Sequence, residues 1–418
     1  MEIVEKLKLR GLFEEASDEA KINQLPKETP FYCGFDPSNS SLQVGNLIPV
    51  LAMATAAREG LKPIVLFGGS TGSIGDPSGK SAERNLLTQQ QVNHNIECHK
   101  GQLNSIFERL QVKPTYVNNA DWTTPVSIIE FLRDIGKHFT VNYMLQKESV
   151  KSRLNGSGIS FTEFSYMILQ AYDFYHLYKE HGCKLQVGGS DQWGNITAGL
   201  ELIRKKAQGQ AYALTFPLVT NSQGQKLGKS EGDSLFLAPE KTSPYKFHQY
   251  WLNVEDADAM RLVRMFTFIE QSKLNELEKA SQDAPHERQA QKTLADALCT
   301  LVHGESATET AKKGAKVLFG GTLEGLKDSE LLDIFSEVPS ITIEAEKLSN
   351  TAIGELFVES GLVKSKGEAK RLAKNGGAYI NNQRVEDETS IISDTTHNAQ
   401  TVIVLRSGKK KYALIKRK

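Results

Sequence analysis

The chain has no excess charge of either sign: Lys+Arg and Asp+Glu stand at 50 each. That excludes a protein that holds nucleic acid by bulk charge alone, although a local basic patch stays open. Cysteine is scarce, and Cys33, Cys98, Cys183 and Cys299 are far apart with no C-x-x-C pair. A disulfide framework and a cysteine zinc site are therefore excluded, and a reduced, cytoplasmic compartment is expected. His94, Cys98 and His99 lack a fourth ligand nearby, so they read as exposed helix residues and no protein-bound metal is expected. No apolar run approaches membrane-spanning length. The opening, Met1-Glu-Ile-Val-Glu-Lys6, has neither an apolar h-region nor an arginine-rich, acid-free character. Two nucleotide fingerprints are missing as well. A Walker pattern ending at Gly79-Lys80-Ser81 needs glycine where Ile74 sits, and one ending at Gly228-Lys229-Ser230 needs it at Gln223. G-x-G-x-x-G is absent from these turns, so a P-loop NTPase and a nicotinamide dehydrogenase are disfavoured.

What is present is a repeating pattern. Phe31-Tyr-Cys-Gly-Phe35 reads as a strand that leads through Asp36-Pro37 to a helix near Val44. Lys62-Pro-Ile-Val-Leu-Phe67 is a buried strand ending in Gly68-Gly69. Lys184-Leu-Gln-Val187 is another, ending in Gly188-Gly189 before a helix from Asp191 or Gln192. Strand, glycine turn and helix in repetition predict an α/β fold with a parallel sheet up to about Pro217. Ligands of such sheets bind beyond the carboxyl ends of the strands, where these glycines and polar residues fall. From Pro239 to about Gly320 the period becomes helical, as over 256–268 and 287–303, and a weakly patterned connection follows to about Leu348. Residues 351–418 read as a separate small α+β domain. It has a basic helix over 364–374, a strand at Ala378-Tyr-Ile380, a turn at Asn381-Asn382 and a cationic tail.

Three stretches carry chemistry. Lys226-Leu-Gly-Lys229-Ser230 is too polar for a core and too glycine-rich for a rigid helix. It is either a solvated loop or one that closes two ammonium groups and a hydroxyl over a polyphosphate. The segment from Gly68 to Ser81 offers backbone N–H groups and the Asp76 carboxylate, with the cations Lys80 and Arg84 beside a strand end. The bland alternative is a tight surface turn. Ser160-Phe-Thr-Glu163 predicts a capping box, with the serine on the first turn and the glutamate returning to the serine N–H. On the helix it starts, Tyr166, Gln170 and Asp173 fall at i, i+4 and i+7 on one face. That face is either solvated or the wall of a pocket for an ammonium group and a second hydrogen-bonding group.

The stretches Tyr32-Cys-Gly-Phe-Asp-Pro37, Gly72-Ser-Ile-Gly-Asp-Pro77, Phe131-Leu-Arg-Asp-Ile-Gly-Lys-His-Phe139 and Thr242-Ser-Pro-Tyr245, with 159–174 and 186–197, carry a resemblance. Together they resemble the bacterial-type tyrosyl-tRNA synthetases, a class I aminoacyl-tRNA synthetase family, over essentially the whole chain. The resemblance implies a Rossmann-like catalytic domain over 1–236 and an α-helical domain over 237–320. A linker over 321–350 and an S4-like RNA-binding domain over 351–418 would follow. It implies ATP with Mg2+ as substrate, L-tyrosine and tRNA(Tyr) as partners, a homodimer, and neither a membrane nor DNA. Tyr32 and Asp173 would take the substrate phenol, Tyr166, Gln170 and Asp76 the α-ammonium, and Gln192 would lie near the carboxyl. Gly34, Asp36, Gly45, Gly189 and Asp191 would line the adenosine site, with Asp191 on the ribose. The lysine loop resembles the K-M-S-K-S signature, so Lys80, Arg84, Lys226, Lys229 and Ser230 would surround the departing pyrophosphate. Arg204 and Lys205 match positions that meet the tRNA acceptor end, though they read equally as exposed helix charges. In the last domain Lys370, Arg371, Lys409, Lys410 and Lys411 would contact tRNA phosphates.

One departure stands out. The class signature H-I-G-H is here Gln43-Val-Gly-Asn46, without either histidine. Asn46 keeps an amide donor of similar reach. Gln43 replaces the histidine that, in the family, helps hold the ATP γ-phosphate; it keeps a neutral N–H donor, and Ser38 keeps a hydroxyl beside it. This reads as a retuned site. Between Ile128 and Tyr143, the residues Ile129, Leu132, Ile135, Phe139 and Val141 offer more apolar surface than one helix face needs, as interface or as core. Two other classes share these features: an RNA-binding relative without the chemistry, and an ATP-dependent amino-acid ligase with another acceptor. The lysine loop argues against the first and the basic C-terminal region against the second.

Overall fold

Short apolar runs, several rich in β-branched or aromatic residues, form most of the strands. β1 (Glu15–Ala16), β2 (Pro30–Phe35), β3 (Lys62–Phe67), β4 (Thr115–Asn118), β5 (Leu185–Gly189) and β6 (Tyr212–Phe216) make a six-stranded sheet in the order β1-β6-β5-β2-β3-β4. Neighbours are parallel except the two-residue β1, which runs antiparallel to β6. This computed structural model describes residues 2–78, 86–154, 158–225, 227–230, 233–318, 320–392, 401–408 and 411–418, with backbone alone at Lys229, Ser230 and Asp233. The predicted α/β fold with a parallel sheet is the one observed. The chain moves from β2 to β3 and β4 on one side, then crosses to β5 and β6 on the other. The crevice beyond the carboxyl ends of β2 and β5 is thus the switch point where such sheets bind ligands.

The helices α1 (Leu47–Arg58), α2 (Gln89–Arg109), α3 (Phe161–His181) and α4 (Trp193–Ala207) connect these strands. Tyr32, Ile64, Leu66, Phe174, Leu177 and Ile203 form one buried cluster from the sheet, α3 and α4. Ser160 starts α3, its Oγ accepting from the Glu163 N–H at 3.2 Å, and Gly182 ends it at φ 65°. The glutamate half of the expected capping box takes a different role. Both Glu163 carboxylate oxygens meet the Arg153 guanidinium, at 2.9 and 2.8 Å, and both residues are buried. A carboxylate at that depth needs a paired cation more than it needs a local N–H. A second difference concerns α2: His94 is exposed, but His99 is only 3% exposed and faces inward.

The chain divides into two compact units, Met1–Lys241 with Val254–Leu294, and Thr242–Asn253 with Ala295–Lys418. The helices expected to form one domain over 237–320 are therefore shared out. Asp256–Phe266 and Gln271–Asp283 belong with the sheet, whereas Pro244–Leu252 and Glu305–Val317 belong with the C-terminal region. The first unit also carries the short antiparallel pair β7 (Lys229–Ser230) and β8 (Asp233–Ser234).

In the second unit, β9 (Ser340–Ile343), β10 (Ala378–Ile380), β11 (Gln383–Arg384), β12 (Val402–Ser407) and β13 (Lys411–Arg417) form a sheet in the order β11-β10-β12-β13-β9. The segment 321–350, expected as a linker, contributes β9 and the helices Asp328–Ile334 and Ala345–Asn350. Its Leu331 and Phe335 share a core with Val317, Val404, Tyr412 and Leu414. Those elements are four to seven residues long, too short to show a period in sequence. Among the described residues, no helix is long and apolar enough to cross a membrane.

Candidate active site

A cavity of about 400 Å³ opens at the carboxyl ends of β2 and β5. At its inner end lie Tyr32, from β2, and Asp173, from α3, which are 1% and 2% exposed. The Tyr32 ring packs edge-on against Phe174, centroids 5.3 Å apart. Its hydroxyl is buried and has no hydrogen-bond partner among the described residues. Burial, reinforced by the Asp173 charge, pushes the phenol well above its ordinary range, so Tyr32 stays an O–H donor. Asp173 is already held from behind: Trp122 Nε1 donates to Oδ1 at 2.8 Å and Asn119 Nδ2 to Oδ2 at 3.0 Å. Burial lifts its carboxyl to about 7 against the pull of these two donors. A donor without a partner beside a buried carboxylate is built for a ligand hydroxyl that accepts from one and donates to the other.

Nearer the mouth, acceptors dominate. The Tyr166 hydroxyl donates to Asp36 Oδ2 at 2.7 Å, and Thr71 Oγ1 donates to Asp36 Oδ1 at 2.8 Å. Asp76 accepts from Gln192 Nε2 at 2.7 Å and from the Ser78 N–H at 3.0 Å. Asn195 Nδ2 joins this group to Gln170 Oε1 at 3.1 Å. With their hydrogens turned to these partners, the Tyr166 oxygen, Gln170 Oε1 and the Asp76 carboxylate leave lone pairs for an ammonium group. Next to Tyr32 in register on β5, Gln186 is buried with Oε1 unpaired among the described residues. The cavity therefore holds a donor–acceptor pair at one end and a group of acceptors beyond it.

A family model described as tRNA synthetases class I (W and Y) matches residues 25–320, and one described as Tyrosine--tRNA ligase SYY-like C-terminal domain matches residues 330–415. A tyrosine--tRNA ligase of Opitutus terrae is 46% identical over 423 residues, covering 100% of both chains. Tyrosine--tRNA ligase 1 of Bacillus cereus is also 46% identical, over 421 residues and 100% of both. The chain belongs to the tyrosyl-tRNA synthetase family. Among solved structures, a C-terminally truncated mitochondrial tyrosyl-tRNA synthetase of Aspergillus nidulans matches with a TM-score of 0.70 at 27% identity, over 76% of this chain and 94% of that one.

Several further residues singled out from the family resemblance line the same cavity: Gly34, Asp36, Ser38, Gln43, Gly45, Asn46, Gly189 and Asp191. A Cβ on Gly45 would project into open space, with nothing within 4 Å. This leaves room for a nucleotide to approach the backbone. A second cavity of about 460 Å³ shares Asp36, Ser38, Gln43 and Asn46 with the first. The Gln43 N–H donates to Asn46 Oδ1 at 2.8 Å, so Asn46 fixes the turn and keeps its Nδ2 donor for a ligand. The lysine loop reaches this turn: Leu235 N–H donates to the Gly228 carbonyl at 2.7 Å, and Val44 N–H to the Leu235 carbonyl at 3.1 Å. Gly228 has φ 80°, which favours glycine there. At Lys229 and Ser230 the described backbone pairs with β8. Lys80, Arg84, Lys226, Lys409 and Lys410 lie outside the described residues.

Arg204 and Lys205 sit in the last turn of α4, where both pair with Glu201, at 2.7 and 3.1 Å. Lys370, Arg371 and Lys411 are exposed in the second unit. Among the described residues no group of three or more His, Cys, Asp or Glu side chains gathers to hold a metal. Sequence reasoning missed Asn119 and Trp122, which hold Asp173, and Gln186 and Asn195. The available signal was position, since Asn119 and Trp122 follow the carboxyl end of β4.

Proposed function

We propose that this chain activates L-tyrosine with ATP and transfers the tyrosyl group to the 3′-terminal adenosine of tRNA(Tyr). The observation that carries the reading is the buried pair Tyr32 and Asp173, a partnerless phenol donor beside a carboxylate in a cavity with an amine-binding middle. A tyrosine carboxylate oxygen attacks the α-phosphorus of ATP, and the bond to the β-phosphate breaks as pyrophosphate leaves. A hydroxyl of the terminal adenosine then attacks the adenylate carbonyl carbon and AMP departs. No protein nucleophile is needed; the residues act by positioning and by meeting charge on the leaving pyrophosphate. Mg2+ belongs to this reading as the ion that accompanies the ATP phosphates. Lys80, Arg84, Lys226, Lys229 and Ser230 would serve the pyrophosphate, Arg204 and Lys205 the acceptor end, and an S4-like C-terminal region the rest of the tRNA. Four unpaired cysteine thiols suit a reduced cytoplasm. Tyrosine-dependent exchange of labelled pyrophosphate into ATP, followed by charging of total tRNA, tests both steps. Exchange without charging would point to another acceptor, and neither would reduce the chain to a binding relative.

Gln43 is the residue to test on the nucleotide side. Gln43→Ala is expected to slow adenylate formation about tenfold, less than the roughly 10²–10³ of losing a full transition-state donor. The dissociation constants of tyrosine and ATP should move much less, because the amide acts as charge builds. Gln43→His should sustain the rate. Single-turnover kinetics that match the parent in Gln43→Ala would make the side chain a bystander.

A homodimer is part of the same proposal. Ile128, Ile129, Leu132 and Val141 are 72%, 68%, 52% and 61% exposed, an apolar patch suited to a second copy. Ile135 and Phe139 are instead buried core. Ile129→Asp with Leu132→Asp is expected to yield a folded monomer by sedimentation. A parent that already sediments as a fully active monomer would end the proposal.

A further inference from the structure

The loop from Asp36 to Gln43 contributes Asp36, Ser38 and Gln43 to both cavities, and one helix face holds its backbone. α2 presents Asn95, His99 and Gln102 at i, i+4 and i+7. Asn95 Nδ2 donates to the Pro37 carbonyl at 2.9 Å, and His99 Nε2 to the Asn39 carbonyl at 2.8 Å. Gln102 Oε1 accepts from the Leu42 N–H at 3.0 Å. Asn95 and His99 are buried among Val92, Ile96, Leu103 and Ile106 of the same helix. Polar side chains on such a stripe are costly to bury unless they are hydrogen-bonded, and here all three reach backbone groups of a single loop.

The state of the ring follows from its surroundings. Burial, helped by the Lys241 charge and opposed by the Asn39 carbonyl, takes the His99 imidazole down to about 4. Lys241 Nζ touches the side-chain oxygen of the same Asn39. The ring is therefore neutral near pH 7, with its proton on the nitrogen that faces the carbonyl. His99 also lines the second cavity, alongside Ser38, Gln43 and Asn46.

The departure at Gln43 gives this clamp its importance. Glutamine has one more rotatable bond than histidine, so it presents a donor accurately only from a well-fixed backbone. We infer that His99, supported by Asn95 and Gln102, is a positioning residue that fixes the loop so that Ser38 and Gln43 meet the ATP phosphates during tyrosine activation. The inference rests on the activation reaction proposed above. His99 acts through the Asn39 carbonyl.

The test uses the full-length protein. His99→Leu removes the donor at similar volume, and His99→Gln keeps one. Single-turnover adenylate formation at saturating tyrosine and ATP should fall about 10–30-fold in His99→Leu, short of the roughly 10² that a 1 Å misplacement costs. The tyrosine dissociation constant should stay within about twofold, since the phenol end of the cavity is untouched. His99→Gln should recover the rate to within about threefold because an amide donor remains. Gln102→Leu, at a half-buried position, should slow the step about threefold by losing one loop hydrogen bond, and it decides the matter if His99→Leu does not fold. Parent-like rates in the variants, equal losses of rate and tyrosine affinity, or no rescue by glutamine would each overturn the inference. The parent's own tyrosine-dependent exchange is scored separately. Its absence overturns the activation reading and this inference with it, whereas an active parent with indifferent variants overturns the inference alone.

Discussion

Asp173→Ala is expected to lower tyrosine-dependent pyrophosphate exchange by about 10³-fold, the sum of a lost charge-assisted hydrogen bond and buried donors left without an acceptor. Asn119 and Trp122 both donate to this carboxylate, so its removal strands both as well as the substrate hydroxyl. A distinct pH signature should accompany it. Because burial raises the Asp173 carboxyl from 3.8 to about 7, the folded protein holds a proton there that the unfolded chain has released. Between about pH 4 and 7 this group's contribution to stability therefore falls as pH rises, and it levels off above 7. Tyrosine affinity should run the other way: the substrate hydroxyl prefers the ionised carboxylate, so binding weakens as pH drops through 7. In Asp173→Asn the affinity should be weaker and flat across that range. Titration calorimetry from pH 6 to 8 checks this, and a flat profile in the parent would remove Asp173 as the group that meets the phenol. Tyr32→Phe, which deletes only the unpaired hydroxyl, should narrow the preference for tyrosine over phenylalanine without this change in pH dependence.

Reversing the charges at Lys370 and Arg371 is expected to reduce tRNA charging about 10²-fold at physiological salt, through two lost phosphate contacts and new repulsion. Pyrophosphate exchange should stay near the parent value. Both residues lie on α5 (Lys366–Lys374), whose Ala369 and Ala373 are buried while Lys370 and Arg371 face outward. The helix can therefore keep its packing while its outer charges change. The slope of log affinity against log salt should shrink by about 2, one per phosphate contact. Glutamates at these positions that depress both half-reactions equally would show that the helix supports the fold rather than the RNA.

Several features were legible because their signals are local. The period of α3 placed Tyr166, Gln170 and Asp173 on one face, and all three line the cavity. The glycine pair Gly188-Gly189 at the end of β5 marked the end of the sheet where the cavity opens. Asn381-Asn382 was legible as a turn, and both residues take positive φ. Turn chemistry and helical period are properties of a few neighbouring residues, so the sequence by itself determined them.

The partners of those residues were decided by the tertiary fold. Asp173 is tuned by Asn119 and Trp122, 54 and 51 residues away, and nothing local to either segment announces the pairing. Glu163 left its expected cap for Arg153 because burial of a carboxylate outweighs one terminal N–H. His99 reads as an exposed histidine until Val92, Ile96, Leu103 and Ile106 are seen to turn its face inward onto the Asn39 carbonyl. The domain boundaries moved for a related reason: Val317, Leu331, Phe335, Val404 and Leu414 bury one another across nearly a hundred residues, and the short elements that carry them show no period alone. Burial depends on which surfaces meet, and that is settled only when distant segments pack.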